Sequence, residues 1–320
     1  MTVPNESRLG SHNATSPRVC VFGEALVDEL PAGPVPGGAP LNVACHAAGF
    51  GLAPLLVSRV GSDDAGAALL SVLVARGVAA EGVEIDPSRP TGRAVVSLHD
   101  GVPRFEIPEG AAFDAIDAGA AEEAVRKWRP SVIVFGTLAQ RDPVSREALA
   151  RALSASKATR LSDLNLRAGW YDGAVVRRIL DTAQIVKVSD EELEEIRRLL
   201  GLTLRDHDAL AADVVRRYRL RALYVTRGAK GAFVSCRAGD VVRFTETPAR
   251  AAGGPVVDTV GAGDAFTATV LLGLVRGWTP EESLTRGVAF AGAVTRIEGA
   301  TPSDPAFYSP FLEEWGQVTA

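Results

Sequence analysis

Lysine, cysteine and histidine are all scarce in this chain, and each shortage closes off some chemistry. Cysteine occurs only as Cys20, Cys45 and Cys236. That odd, widely spaced set without a CxxC fits small buried hydrophobes in a reducing compartment rather than a disulfide framework. His12, His46, His99 and His207 form no HExxH and no Cys/His cluster, so a zinc site is not expected. Long apolar runs are missing too. The most apolar helix candidate, Ala265 to Val275, is about half a membrane span and ends at Arg276. The start, residues 1–17, is polar and has no apolar core of a signal peptide; it is expected to be a disordered tail on a cytoplasmic protein. Its two glycosylation tripeptides, Asn5-Glu6-Ser7 and Asn13-Ala14-Thr15, are then chance matches. The net charge is −5 with the basic residues scattered, so neither nucleic acid nor an anionic membrane is an expected partner. Since Lys127, Lys157, Lys187 and Lys230 are the only lysines, one placed where phosphates bind carries unusual information.

What remains is ample for a large α/β domain, at 320 residues and 47% hydrophobic. Val19 to Gly23 reads as a buried strand, 31–40 as Pro- and Gly-rich loop, 41–49 as helix and 55–60 as strand. Residues 65–76 read as a helix that Gly77 closes. Residues 93–99 and 104–107, joined at Asp100-Gly101, read as a hairpin. Strands at 132–135, 160–163, 185–188 and 222–226 then alternate with helices at 145–154, 173–181, 191–200 and 209–218. That rhythm implies a mostly parallel sheet covered on both faces, with the hairpin as a lid on a nucleotide-binding core.

The chemistry concentrates in Asp258-Thr259-Val260-Gly261-Ala262-Gly263-Asp264-Ala265-Phe266, just before the apolar helix. Glycines admit close backbone approach, and the helix behind them aims free N–H groups and its positive dipole end at that place. Asp264 stands beside this anion hole, where phosphoryl transfer needs a proton acceptor and donors for the phosphoryl charge. From these residues alone, Asp264 could equally be a carboxylate that merely favours a helix start. The segment is not the dinucleotide fingerprint, because Phe266 replaces the third glycine, and neither a Walker loop nor a His-Arg-Asp loop occurs.

That segment resembles the C-terminal signature of the ribokinase-like (PfkB) sugar kinases, and the likeness runs from Val19 to about Trp315. Gly37-Gly38-Ala39-Pro40-Leu41-Asn42 is similar to the family's sugar-binding glycine pair, and Gly23-Glu24-Ala25-Leu26-Val27-Asp28 to its first strand, whose terminal Asp binds sugar hydroxyls. Asp163-Leu164-Asn165-Leu166-Arg167 resembles the fructokinase-type motif, which implies Asn165 at the sugar and Arg167 facing sugar or phosphate. Ser189-Asp190-Glu191-Glu192 stands where the family orders Mg²⁺ and phosphate through water, implying Glu192 for Mg²⁺ and Ser189 for ATP. Ser replaces the usual Asn, and the same residues also spell a capping box. Lys187 at a strand end suits a phosphate point charge. Thr226-Arg227-Gly228-Ala229-Lys230-Gly231 resembles the nucleotide loop, which implies Thr226, Gly228 and Gly231 against ATP. A K⁺ site near Asp258 and 299–303 is the family's habit, although the pattern around Glu298 differs from ribokinase.

The resemblance implies a ribokinase-like three-layer α/β/α sandwich over 18–316 with a small β lid at about 28–40 and 90–108. It implies transfer of the ATP γ-phosphoryl to a sugar primary hydroxyl, with Asp264 as base, the Gly261, Ala262 and Gly263 N–H groups holding the charge, and a homodimer formed through the lid. Fructose, phosphorylated at the 6-position, is the expected acceptor. The segments 90–107 and 135–141 resemble that branch, and an apolar strand face of Phe105 and Ile107 suits a neutral sugar. The rivals are a 2-keto-3-deoxygluconate kinase, for which Arg93 and Arg167 are candidate clamps, a nucleoside kinase, and a non-catalytic sensor on the same scaffold.

Overall fold

The computed structural model describes residues 16–30, 33–99, 102–239, 241–249 and 255–316, with the backbone alone over 96–99 and 102–105. The strands are β1 (Arg18–Phe22), β2 (Leu26–Leu30), β3 (Gly33–Gly37), β4 (Ala53–Gly61), β5 (Ala79–Asp86), β6 (Gly92–His99), β7 (Val102–Glu106), β8 (Val132–Phe135), β9 (Thr159–Asp163), β10 (Ile185–Ser189), β11 (Ala222–Thr226), β12 (Ala232–Ala238) and β13 (Val241–Thr247). The helices are α1 (Ala39–Gly49), α2 (Asp64–Ala75), α3 (Ala118–Trp128), α4 (Pro143–Ser154), α5 (Gly173–Thr182), α6 (Asp190–Leu200), α7 (His207–Arg217), α8 (Ala262–Arg276), α9 (Pro280–Val294) and α10 (Ser309–Trp315).

Nine strands form one sheet in the order β13-β12-β11-β10-β9-β8-β1-β4-β5. From β11 to β5 every pairing is parallel, and β12 and β13 close one edge antiparallel. Alternate residues of each strand enter opposite cores, as the pleat requires. Cys20 and Phe22 of β1 pack with α3, α4, α5, α6 and α7, while Val19 and Val21 pack with α1, α2, α8, α9 and α10. The architecture is therefore a three-layer α/β/α sandwich.

A second sheet, β3-β2-β6-β7, sits apart from the first. Its β3 runs through the stretch expected to be loop. Pro34 and Pro36 are tolerated because β3 is an edge strand, where a missing N–H costs no ladder bond on the open side. Ile107, expected on an apolar strand face toward a neutral sugar, instead follows β7 and packs into the core, and its carbonyl accepts from Arg141 Nη1 at 2.8 Å. The side chains of Arg104 and Phe105 lie outside the described residues. No helix among the described residues is long and apolar enough to cross a membrane.

Candidate active site

Helix capping marks out the site. Helices α2 to α7 and α9 each begin on an Asp, Ser or Thr whose side chain accepts from the first turn. By contrast, α1 begins on Gly38 and α8 on Gly261, and neither has a side-chain cap. Their first N–H groups and positive dipole ends stay free for a ligand. Asn42 in the first turn of α1 donates from Nδ2 to Asp264 Oδ2 in the first turn of α8 at 2.8 Å, so the two uncapped ends converge.

Gly261 has φ +76°, and a Cβ there would collide with Ala300. Gly263 needs its bare Cα for a different reason: a Cβ would stand 3.0 Å from Lys187 Nζ. The loop that forms the hole is thus pressed directly against a cation. Lys187 is only 6% exposed and bonds both oxygens of Asp163, at 3.1 and 3.2 Å. Asp163 also accepts from Thr267 Oγ1 at 2.7 Å. Burial works against the Lys187 charge, but Asp163, Glu192 and Asp264 outweigh it and hold the ammonium above its ordinary range. Lys187 is therefore a paired, buried cation at the edge of the hole rather than a free point charge.

Asp264 is pushed up to about 6, first by burial and next by the Asp163 carboxylate, against the Asn42 hydrogen bond, Lys187 and Arg167. A carboxylate tuned that high still ionises at neutral pH and holds a proton better than an ordinary one. Burial raises Glu192 as well. Its two oxygens accept from Leu166 N at 2.6 Å and Ser189 N at 2.7 Å, while Ser189 Oγ accepts from Glu192 N at 3.1 Å. The capping box is real, and it also ties the β9 loop to the start of α6.

The sugar-side candidates gather at the same mouth. A Cβ on Gly37 would strike the Asp28 carboxylate, and one on Gly38 would stand 2.8 Å from Glu24 O. Burial raises Asp28 while Arg167 lowers it. Thr137 Oγ1 donates to Leu164 O at 2.6 Å and contacts Asn165 O at 3.3 Å, holding the turn where Asn165 takes φ +45°. Arg167, two residues on, is exposed, yet its charge acts on Glu24, Asp28 and Asp264 together. Arg93 is engaged by Glu29 at 2.5 Å.

Of the residues expected along a nucleotide, Thr226 pairs in register with Ser189 across β11 and β10, and a one-turn helix, Gly228–Lys230, follows with Gly231 at its end. Asp258 accepts from Val260 N and Gly299 N. Ala300 O and Pro302 O already accept from His46 and Arg76. Among the described residues no group of three or more acidic, His or Cys side chains is placed to hold a metal by itself. Sequence reasoning passed over Asp163, Thr267 and Glu24 as site residues. For Asp163 a signal existed, since it ends an apolar strand and opens the Asp163-Leu164-Asn165-Leu166-Arg167 motif; the structure pairs it in register with Lys187.

Residues 32–306 match the family model described as pfkB family carbohydrate kinase. The chain is 32% identical to the fructokinase of Escherichia coli, covering 81% of this chain and 85% of that one. It is 32% identical to fructokinase-1 of Oryza sativa subsp. japonica, covering 90% and 94%. Its structure is similar to that of a double mutant of Vibrio cholerae O395 fructokinase in its fructose-, ADP- and potassium-bound form, at TM-score 0.73 and 25% identity over 92% of this chain and 98% of that one. It has the fold of the Xylella fastidiosa fructokinase with bound ATP, at TM-score 0.75 and 24% identity over 94% and 99%.

Proposed function

Since this chain belongs to the pfkB family of carbohydrate kinases and is a sugar kinase, we propose that it moves the γ-phosphoryl group of ATP to the 6-hydroxyl of fructose. One observation carries the reading: a carboxylate tuned to about 6 stands at the uncapped N-terminus of α8 and is hydrogen-bonded to the uncapped start of α1. The acceptor hydroxyl gives its proton to Asp264 as its oxygen bonds the γ-phosphorus, and the bond from that phosphorus to the β-γ bridging oxygen breaks, leaving ADP. The N–H groups of Gly261, Ala262 and Gly263 take up the charge on the transferring group. Arg167 faces that group or the sugar, and Lys187 stabilises the loop from behind.

Asp28, Asn42 and Asn165 hold the hydroxyls of the sugar, with the Gly37-Gly38 backbone closing on it. Ser189, Thr226, Gly228 and Gly231 lie along ATP. Glu192 is a hard oxygen donor of the kind Mg²⁺ takes through water. When bound, Mg²⁺ draws charge off the phosphates. K⁺, where bound, would lie near Asp258, sharing the carbonyls of Ala300 and Pro302 that also accept from His46 and Arg76. The β3-β2-β6-β7 sheet acts as a lid that excludes water and also pairs two copies of the chain.

Fructose is favoured over a sugar acid because Arg93, one of two candidate carboxylate clamps, is neutralised by Glu29, and because the relatives named above are fructokinases. Arg167 alone keeps 2-keto-3-deoxygluconate as the second reading. The test is kcat/KM for fructose, 2-keto-3-deoxygluconate and ribose with ATP and Mg²⁺. Preference for either competitor by roughly tenfold removes fructose and leaves the sugar kinase standing.

A further inference from the structure

Several buried titratable side chains take no part in the mechanism above, and one of them, Glu24, stands beside the site. Glu24 follows β1 at the carboxyl edge of the sheet and is 5% exposed. It lines a small cavity with Gly136, Thr137, Asp163 and Asn165 that has room for about one water, at 20 Å³. The one hydrogen bond its carboxyl accepts comes from its own backbone N–H. No side chain among the described residues donates to it.

The surroundings are poor in donors and crowded with claims on them. From α8 the Asp264 carboxylate acts on it, and Asp163 of β9, which already holds Lys187 of β10, lines the same cavity. Arg141, after β8, acts on it too, yet that guanidinium is spent on Asp114, Ile107 O and Pro108 O. Arg167, on the loop after β9, is the remaining cation and stands exposed to water. A carboxylate without side-chain donors in a cavity lined largely by Val21, Phe22, Val134, Phe135 and Leu138 is costly, whereas the neutral acid brings its own donor.

We propose that Glu24 works as a neutral carboxylic acid in the floor of the sugar site, a positioning residue that donates a hydrogen bond there and keeps a second negative charge away from Asp264. Its carboxyl is pushed up to about 7, above all by burial, against its own N–H, with Arg167 lowering it and Asp264 raising it. Ionisation above that range sets a second charge beside the base and the incoming phosphoryl group. The catalytic part of this inference rests on the kinase reading of the site; the protonation part does not.

The experiment compares wild type with Glu24→Gln, a neutral isostere, and Glu24→Leu, which keeps bulk without hydrogen bonding. Wild-type kcat/KM should fall above about pH 7 while Glu24→Gln escapes that fall, raising its ratio of pH 8.5 to pH 6.5 activity about tenfold over wild type. Glu24→Leu should raise the KM for the sugar more than Glu24→Gln does. Thermal unfolding reads protonation without any activity. An acid whose folded pKa is raised loses stability as pH rises from its unfolded to its folded value. Glu24→Gln should therefore melt higher than wild type at pH 8 and gain nothing at pH 4.5. A Glu24 carboxyl carbon resonance that titrates in wild type near an ordinary glutamate's value overturns the proposal even if the variants do not fold. An unchanged alkaline limb in Glu24→Gln, or equal sugar KM for the Gln and Leu variants, overturns the positioning role. A sugar kinase assay with no turnover in wild type fails the functional reading instead, and leaves the melting and resonance results to decide on Glu24.

Discussion

Replacing Asp264 by asparagine separates catalysis from stability in one variant. The side chain keeps its size, and a carboxamide oxygen can still accept from Asn42 Nδ2, so the 2.8 Å link between α1 and α8 survives. What goes is the proposed proton acceptor, a role typically worth about 10²–10⁴ in kcat, or roughly 3–5 kcal/mol. The fold should gain over the same change. An aspartate raised from 3.8 to about 6 binds its proton more tightly folded than unfolded. Wild type therefore loses stability as pH climbs through that interval, while the neutral amide does not. The difference of roughly two units corresponds to at most about 3 kcal/mol in favour of Asp264→Asn above pH 6, and to nothing below pH 4. Urea unfolding at pH 4 and pH 7.5, set beside a coupled ADP-release assay, reads both quantities. In wild type kcat/KM should also rise through about pH 6 as the base ionises. Near-normal turnover in folded Asp264→Asn, or lower stability than wild type at pH 7.5, refutes the assignment, because a base kept ionised against burial should carry both signatures.

Gly263→Val places a branched side chain against Lys187 Nζ, where even a Cβ would stand at 3.0 Å. It should lower kcat by more than it weakens nucleotide binding measured by calorimetry, and equal losses would mark the glycine as a turn residue only. Lys187→Met strips the 5%-exposed Asp163 of its cation and leaves it the Thr267 hydroxyl. Unfolding free energy should drop by about 3–5 kcal/mol, and Asp163→Asn in the same chain should recover part of it. A drop under about 1 kcal/mol would mean that the pair is solvated.

Local rules made much of this protein legible without coordinates. The α6 capping box is written in Ser189 and Glu192, the end of α2 in Gly77, and the alternation of apolar strands with helices already demands a parallel sheet covered twice. The uncapped start of α8 follows from glycines standing where its neighbours carry Asp, Ser or Thr. These features depend on residues a few positions apart, within one turn or one strand. Other features belong only to the tertiary structure. Pro34 and Pro36 argue for loop until an edge position in a second sheet makes the missing N–H harmless. Ile107 is apolar in either setting, and only packing decides that it faces the core. The Lys187–Asp163 pair joins residues on adjacent strands, and Asn42 meets Asp264 across much of the chain. Glu24 looks like any glutamate in sequence; its protonation is set by how much of its surface other elements cover and how few donors they bring. Dihedral preference and periodicity are properties of a segment, whereas burial and electrostatic company come from segments remote in sequence, and the chemistry of this site is made of the latter.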